Sequence, residues 1–203
     1  VQNGYAINFT SNYKLLDLAY KKAKLILSVS QDTTKIINHL YGKYSKEILN
    51  MNLAIGSDKI DTKLKKENLI TFMPRKLPFH SQKLLFLLKN KLPNNWKIKP
   101  LEKISEKVLY DNLRKSKIFL SFSFMEGLGA PPIEAAKEGN KIIGYTGEGG
   151  NEYWKKPIFT KISNGDFNSF IEEILKFIKN NTSYLKFKNQ RIKLLKKYSN
   201  KSE

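Results

Sequence analysis

The sequence predicts an α/β protein, a Rossmann-like parallel sheet flanked by helices, and two observations carry the prediction. Short apolar segments alternate with helical ones along most of the chain, the order in which βαβ units build a parallel sheet. Between one such strand and the next helix lies "FMEGLGAPPIEAAKEG" (Phe124 to Gly139). It is a Gly- and Pro-rich crossing at the carboxyl edge of the sheet, where such folds bind their ligands.

In chain order, a helix is expected from Asn12 to Lys24, followed by the strand "LILSVS" (Leu25 to Ser30). The segment "QDTTKIINHLYG" reads as a helix with Asp32 or Thr33 as N-cap and Gly42 as its stop, and "ILNMNLAIG" as the next strand. From Ser57 to Asn68 the chain is polar and lysine-rich, which marks a linker. Alternation then resumes with the strand "LITFMPR", the helix "SQKLLFLLKNKL" ended by Pro93, and the short strand "WKIKPLE". Ser105 caps the helix "SEKVLYDNLRKS", and "KIFLSFS" follows as a buried strand. The helix "PPIEAAKEG", the strands "KIIGYT" and "PIFTKIS", and the helix "DFNSFIEEILKFIKNN" capped by Asp166 complete the pattern.

Apolar residues make up 40% of the 203, enough to bury one or two ordinary cores. No apolar run approaches the ~18–20 residues of a membrane-spanning helix, and the start "VQNGYAINFT" has neither the basic nor the apolar region of a secretory signal. It also lacks Met, which suggests a segment of a longer protein. Without Cys there are no disulfides and no thiolate chemistry, and a reducing cytoplasm is the expected location. His39 and His80 are the only histidines and stand far apart, so no metal site is expected. The formal net charge of +19 would suit a nucleic acid or an anionic membrane. Yet only Arg75, Arg114 and Arg191 of the 37 basic residues are arginines, and the lysines are scattered, whereas recognition of bases and phosphates favours the planar guanidinium. The charge is therefore read as composition, with no nucleic-acid partner expected.

Glu126 and Glu134 bracket the Gly- and Pro-rich crossing with seven residues between them. Pro131 and Pro132 suit the first positions of a helix, where a missing N–H costs nothing, and Gly127 and Gly129 permit close backbone approach or a positive φ. That puts Glu126 on a loop and Glu134 in the first helical turn. An acid in a first turn can simply meet the helix dipole. A carboxylate also accepts two hydrogen bonds from vicinal hydroxyls, so the pair suits a sugar and a ribose. Loop N–H groups and the helix N-terminus would suit phosphate oxygens between the two.

The stretch "SFSFMEGLGAPPIEAAKEGNKIIGYTGEGGNEYW" resembles the donor-binding segment of the retaining GT-B glycosyltransferases that build bacterial polysaccharides and glycoconjugates. Their hallmark is a pair of Glu separated by seven residues and followed by a Gly-Gly loop. Glu126, Gly127, Gly129, Pro131, Glu134, Ala135 and Gly139 stand in register with that pattern, and Gly149-Gly150 follows. The resemblance implies that Glu126 contacts the donor sugar at the catalytic centre. It implies that the backbone of Gly127, Leu128 and Gly129 lines the sugar hydroxyls and the β-phosphate, and that Glu134 holds the nucleotide ribose. A diphosphate site is implied after the first strand of this domain, where Arg75, Lys76 and Lys83 stand. The position at which the family carries its Lys holds His80.

The same resemblance implies a nucleotide-sugar donor, a glycan or lipid-linked acceptor, no metal or other cofactor, and retention of anomeric configuration. The chain then divides into the tail of an N-terminal Rossmann-like domain (1–57), a linker (58–66), the nucleotide-sugar-binding domain of a GT-B fold (67–181) and a basic C-terminal helix (182–203). It would be part of a transferase rather than a whole one. The loop "GYTGEGGNEYW" departs from the commoner form by placing Glu152 one residue early, and is similar to a subgroup resembling rhamnosyltransferases of cell-surface glycans. Gly147 to Gly150 is not read as a dinucleotide fingerprint, because "NEYWKKP" is too short and Pro-terminated to be the helix that such a motif needs.

At the C-terminus, Leu185, Ile192, Leu195 and Tyr198 form an apolar stripe among lysines. Such a helix either lies on anionic lipid at the inner membrane face or packs on protein with its lysines solvated. Two rival classes remain, a nucleic-acid-binding basic domain and a nucleotide-binding domain without turnover. The first would show a steep salt dependence of nucleic-acid binding.

Overall fold

The computed structural model describes residues 1–9, 12–44, 46–56, 65–180 and 187–199. The elements run in the order α1 (Tyr13–Lys22), β1 (Leu25–Ser28), α2 (Gln31–Tyr41), β2 (Glu47–Asn50), β3 (Glu67–Phe72), α3 (Pro78–Leu88), β4 (Lys97–Pro100) and α4 (Glu106–Lys115). Then follow β5 (Ser116–Glu126), α5 (Ala130–Lys137), β6 (Lys141–Glu148), β7 (Phe159–Lys161), α6 (Phe167–Asn180) and α7 (Lys188–Lys197). Short 3-10 turns occupy Gly4–Phe9, Gly42–Tyr44 and Gly149–Glu152. The strands pair only in parallel: β1 with β2 in a small sheet, and the other five in the order β4-β3-β5-β6-β7. The expected α/β architecture is thus observed.

The larger sheet is covered on both faces, as parallel sheets are. Side chains alternate along β5: Ile118, Leu120 and Phe122 pack with Leu84 and Leu88 of α3 and Phe170 and Ile174 of α6. Phe119 points to the other side, with Leu113 of α4, Ile133 of α5 and Leu194 of α7. Of the expected caps, Ser105 accepts from Val108 N–H at 3.4 Å and Asp166 from Ser169 N–H at 3.1 Å.

Three expectations are corrected. The N-cap of α2 is Ser30, not Asp32 or Thr33: its extended backbone lets Oγ accept from Thr33 N–H at 3.1 Å, while Asp32 accepts from the Tyr5 hydroxyl at 2.8 Å. Gly42 ends α2 as expected, standing as its C-cap in right-handed geometry, and a 3-10 turn follows. Helix α3 starts at Pro78, three residues before the expected Ser81, because proline suits the first turn. The strand expected over "ILNMNLAIG" stops at Asn50. Most of the expected linker, residues 57–64, lies outside the described residues, as do 181–186 and 200–203 of the C-terminal segment.

Helix α7 is not a free amphipathic surface. Leu194, Leu195 and Tyr198 are buried, and the Tyr198 carbonyl accepts from Ile55 N–H at 3.1 Å. The apolar stripe proposed for lipid is therefore spent on protein at Leu195 and Tyr198; Leu185 lies outside the described residues. No helix among the described residues is long and apolar enough to cross a membrane. Arg191, only 2% exposed, donates to the Lys137 carbonyl through Nη2 at 2.6 Å and Nε at 3.2 Å, closing the C-terminal end of α5. Arg191→Met keeps the stem and removes these donors. It should cost about 1.5 kcal/mol, seen as a fall in Tm of about 3–6 °C.

Candidate functional site at the sheet edge

The five-stranded order reverses between β3 and β5, and in open α/β sheets that reversal opens a crevice beyond the strand ends. Met73 to Lys76 leave the end of β3 there, and Glu126 ends β5. Glu126 is thus the last strand residue rather than a loop residue. It pairs with Glu148 after a register shift that begins at Ser123. Two non-glycine residues flank this end in the left-handed region, Met125 at φ 48° and Glu148 at φ 67°. Such strain persists only where surrounding structure fixes it. Here Asn3 Nδ2 donates to the Met125 carbonyl at 2.9 Å.

The glycines after Glu126 serve different purposes. Gly127 has its Cα face against the backbone of Gln2, where a Cβ would lie 1.9 Å from the Gln2 carbonyl oxygen. The close approach expected of it is therefore to the N-terminal segment. Gly129 takes φ 80° as the N-cap of α5, and its carbonyl accepts from the buried Tyr153 hydroxyl at 2.7 Å. Because α5 starts at Ala130, Glu134 falls in its second turn, and the dipole of the first turn does not explain it. Pro131 and Pro132 remove two of the N–H groups that a helix start would offer to an anion. Phosphate donors at this point reduce to loop N–H groups and Ala130.

Glu126 and Glu134 open into one cavity of about 690 Å³, which the backbone of Gly127, Leu128 and Gly129 also lines. Its far wall is the segment Leu53 to Gly56 beyond β2, together with Glu106, Tyr110 and Arg114 of α4. A second cavity of about 230 Å³ adjoins it through Glu126 and holds Arg75 and Lys76. Lys76 Nζ pairs with Glu126 Oε1 at 2.9 Å, so an expected phosphate ligand and the expected sugar ligand meet directly. Lys83 does not join them: it is exposed on α3 and lines neither cavity. His80 turns away as well, with Nδ1 3.1 Å from the Tyr145 hydroxyl. Among the described residues no group of three or more His, Asp or Glu is arranged to hold a metal ion.

Burial raises Glu134 above the usual carboxylate range, and the neighbouring Glu106 adds to this. A hydrogen bond from the Tyr110 hydroxyl at 3.2 Å and the Lys137 ammonium one turn on oppose it. Lys137 is itself 2% exposed and donates to the carbonyls of Ile55 and, at 3.0 Å, Tyr198, so α5 anchors the opposite cavity wall. Glu152 ties the Gly-Gly turn to two further elements. It accepts from Gln31 N–H at the start of α2 at 2.8 Å and pairs with Lys197 of α7 at 3.0 Å. Sequence reasoning did not find Tyr110, Glu106, Lys137 or the Gln2–Asn3 contact. Glu106, Tyr110 and Arg114 do recur every four residues along α4, which marks one face but not what it meets.

Solved structures share this architecture. S. aureus TarM, as a mutant in complex with fondaparinux, α-GlcNAc-glycerol and UDP, superposes on 93% of the chain with a TM-score of 0.76 at 16% identity. A second TarM structure gives 0.73 over 100% of the chain at 15% identity. The pneumococcal O-GlcNAc transferase GtfA, in complex with UDP and GlcNAc, gives 0.65 over 95% at 12% identity. The chain spans less than half of each of these proteins, 44%, 47% and 45% respectively. The likeness defines the fold as the Rossmann-like arrangement of GT-B proteins. The sequence matches no family model and no curated protein.

Proposed function

We propose that the chain is the nucleotide-sugar-binding part of a glycosyltransferase that moves a sugar to a glycan or glycoconjugate acceptor. The observation that carries this reading is the paired cavity at the strand-order reversal. Two carboxylates with seven residues between them line one side, two cations line the other, and Glu126 is shared between them. Hydroxyl-rich groups suit the carboxylate side, with Glu134 on the ribose and Glu126 on the donor sugar, and the diphosphate suits Arg75 and Lys76. In transfer, those cations and the N–H groups of Gly127 to Ala130 stabilise the charge that develops on the departing diphosphate. Retention of anomeric configuration and a site that works without metal enter with the resemblance of the Glu-x7-Glu segment to the retaining GT-B enzymes. Lys83 is left outside this assignment, since it stands apart from both cavities.

Isothermal titration with UDP, GDP and dTDP, without added metal, tests the proposal directly. At least one should bind, and Arg75→Ala should weaken that one about tenfold, or ~1.4 kcal/mol, the scale of an exposed charge-assisted hydrogen bond. Equal affinity in the mutant removes Arg75 from the phosphate site. Absence of binding by any nucleoside diphosphate removes the proposal.

A further inference from the structure

Helices α4 and α5 face each other across the larger cavity, and a polar pair joins them there. The Tyr110 hydroxyl donates to Glu134 Oε1 at 3.2 Å, and both residues line the cavity. Gly56 brings its backbone against both, in the left-handed region at φ 66°. A Cβ at that position would lie 3.4 Å from the Tyr110 hydroxyl and 3.5 Å from Glu134 Cγ. The carboxylate is thus held by a donor, with Gly56 packed close to the Tyr110 hydroxyl and to the stem of Glu134.

We infer that Tyr110 is a positioning residue for Glu134, holding one carboxylate oxygen so that the other is presented to vicinal hydroxyls of a ribose. The inference rests on the reading of Glu134 as the ribose ligand. Tyr110 does not itself enter that reading. The charges around Glu134 give the pair a second consequence. Glu106 of α4 disfavours its anionic form, as burial does, while the Tyr110 hydrogen bond and Lys137 on its own helix favour it. The Arg114 guanidinium, on the same face of α4, is turned to Glu138 and Asp111, each at 3.4 Å. Removing the Tyr110 hydroxyl takes away a contribution that lowers the proton affinity of Glu134. Its carboxylate would then be neutralised at a higher pH, and affinity that depends on the anion would be lost earlier as pH falls.

The test is calorimetric titration of the 203-residue chain and its variants with a nucleoside diphosphate and its 2′,3′-dideoxy counterpart, from neutral to acid pH. The wild type should prefer the ribonucleotide. Tyr110→Phe should shrink that preference several-fold and move the acid loss of affinity to higher pH, and in a Glu134→Gln background it should change neither. If Tyr110→Phe leaves ratio and pH profile unchanged while the wild type discriminates, the inference falls and the ribose reading stands. A wild type that binds both nucleotides equally, or neither, overturns the ribose reading and the inference together.

Discussion

Gly149→Ala is expected to destabilise the chain by about 3 kcal/mol or more and to lower Tm by about 6–12 °C. A Cβ at Gly149 would lie 1.9 Å from the Gly127 carbonyl oxygen and 2.4 Å from its carbon. Gly127 is in turn pressed against Gln2, so three backbone segments stack without room for a methyl group. Neither glycine has a positive φ, and the requirement is therefore one of approach rather than of conformation. A side chain struck in this way could rotate aside. A carbonyl can move only with its strand, and this one follows Glu126 directly. Gly42→Ala is the control: its added Cβ meets nothing within 4 Å and its backbone is right-handed helical. That substitution should be neutral or stabilising by about 0.4–1 kcal/mol. Thermal denaturation followed by circular dichroism compares the two, and equal melting would show that the three segments are not stacked.

The succession of elements was legible because it depends on local chemistry. Apolar runs, Ser105, Asp166 and the prolines after Gly129 each act within a few residues of themselves, and each marks an element that the fold contains. Errors fell where neighbouring residues compete for one role. Ser30, Asp32 and Thr33 can all cap a helix; Ser30 does so, while Asp32 is engaged by Tyr5 from elsewhere in the chain. The site was legible along its contiguous stretch, Glu126 to Glu134, and at Arg75 and Lys76 after β3. Its other wall is built by Gly56 and Tyr110, and no periodicity indicates that residue 110 reaches residue 134. The same holds for Gly127, whose residue type announces a close approach without naming the partner, and for Lys137, whose burial depends on carbonyls of Ile55 and Tyr198. A glutamate at a strand end likewise gives no sign that a lysine fifty residues earlier will neutralise it.

Glu134→Gln and Glu126→Gln should separate cleanly in binding experiments. Glu134 is assigned to the ribose, which a ribonucleoside diphosphate and its sugar-bearing form both carry, and its oxygens sit in a half-buried place where a charged acceptor is worth more than an amide. Its replacement should weaken nucleoside diphosphates and nucleotide-sugars alike by about 2–3 kcal/mol, or roughly 30- to 150-fold. Glu126 is different, because it is paired with Lys76 at 2.9 Å, their side chains 22% and 44% exposed. An ion pair of that exposure contributes about 0–1 kcal/mol, so breaking it should barely change stability. Breaking it also frees Lys76 for a phosphate. Glu126→Gln should therefore bind a plain nucleoside diphosphate as well as the wild type or a few-fold better, while losing the added affinity that a donor sugar brings. Titration of both variants with a nucleoside diphosphate and with its sugar-bearing form measures the two differences. A loss of nucleoside diphosphate affinity of the same size in both variants would place the two carboxylates on one part of the ligand, and the division between sugar and ribose would then be wrong.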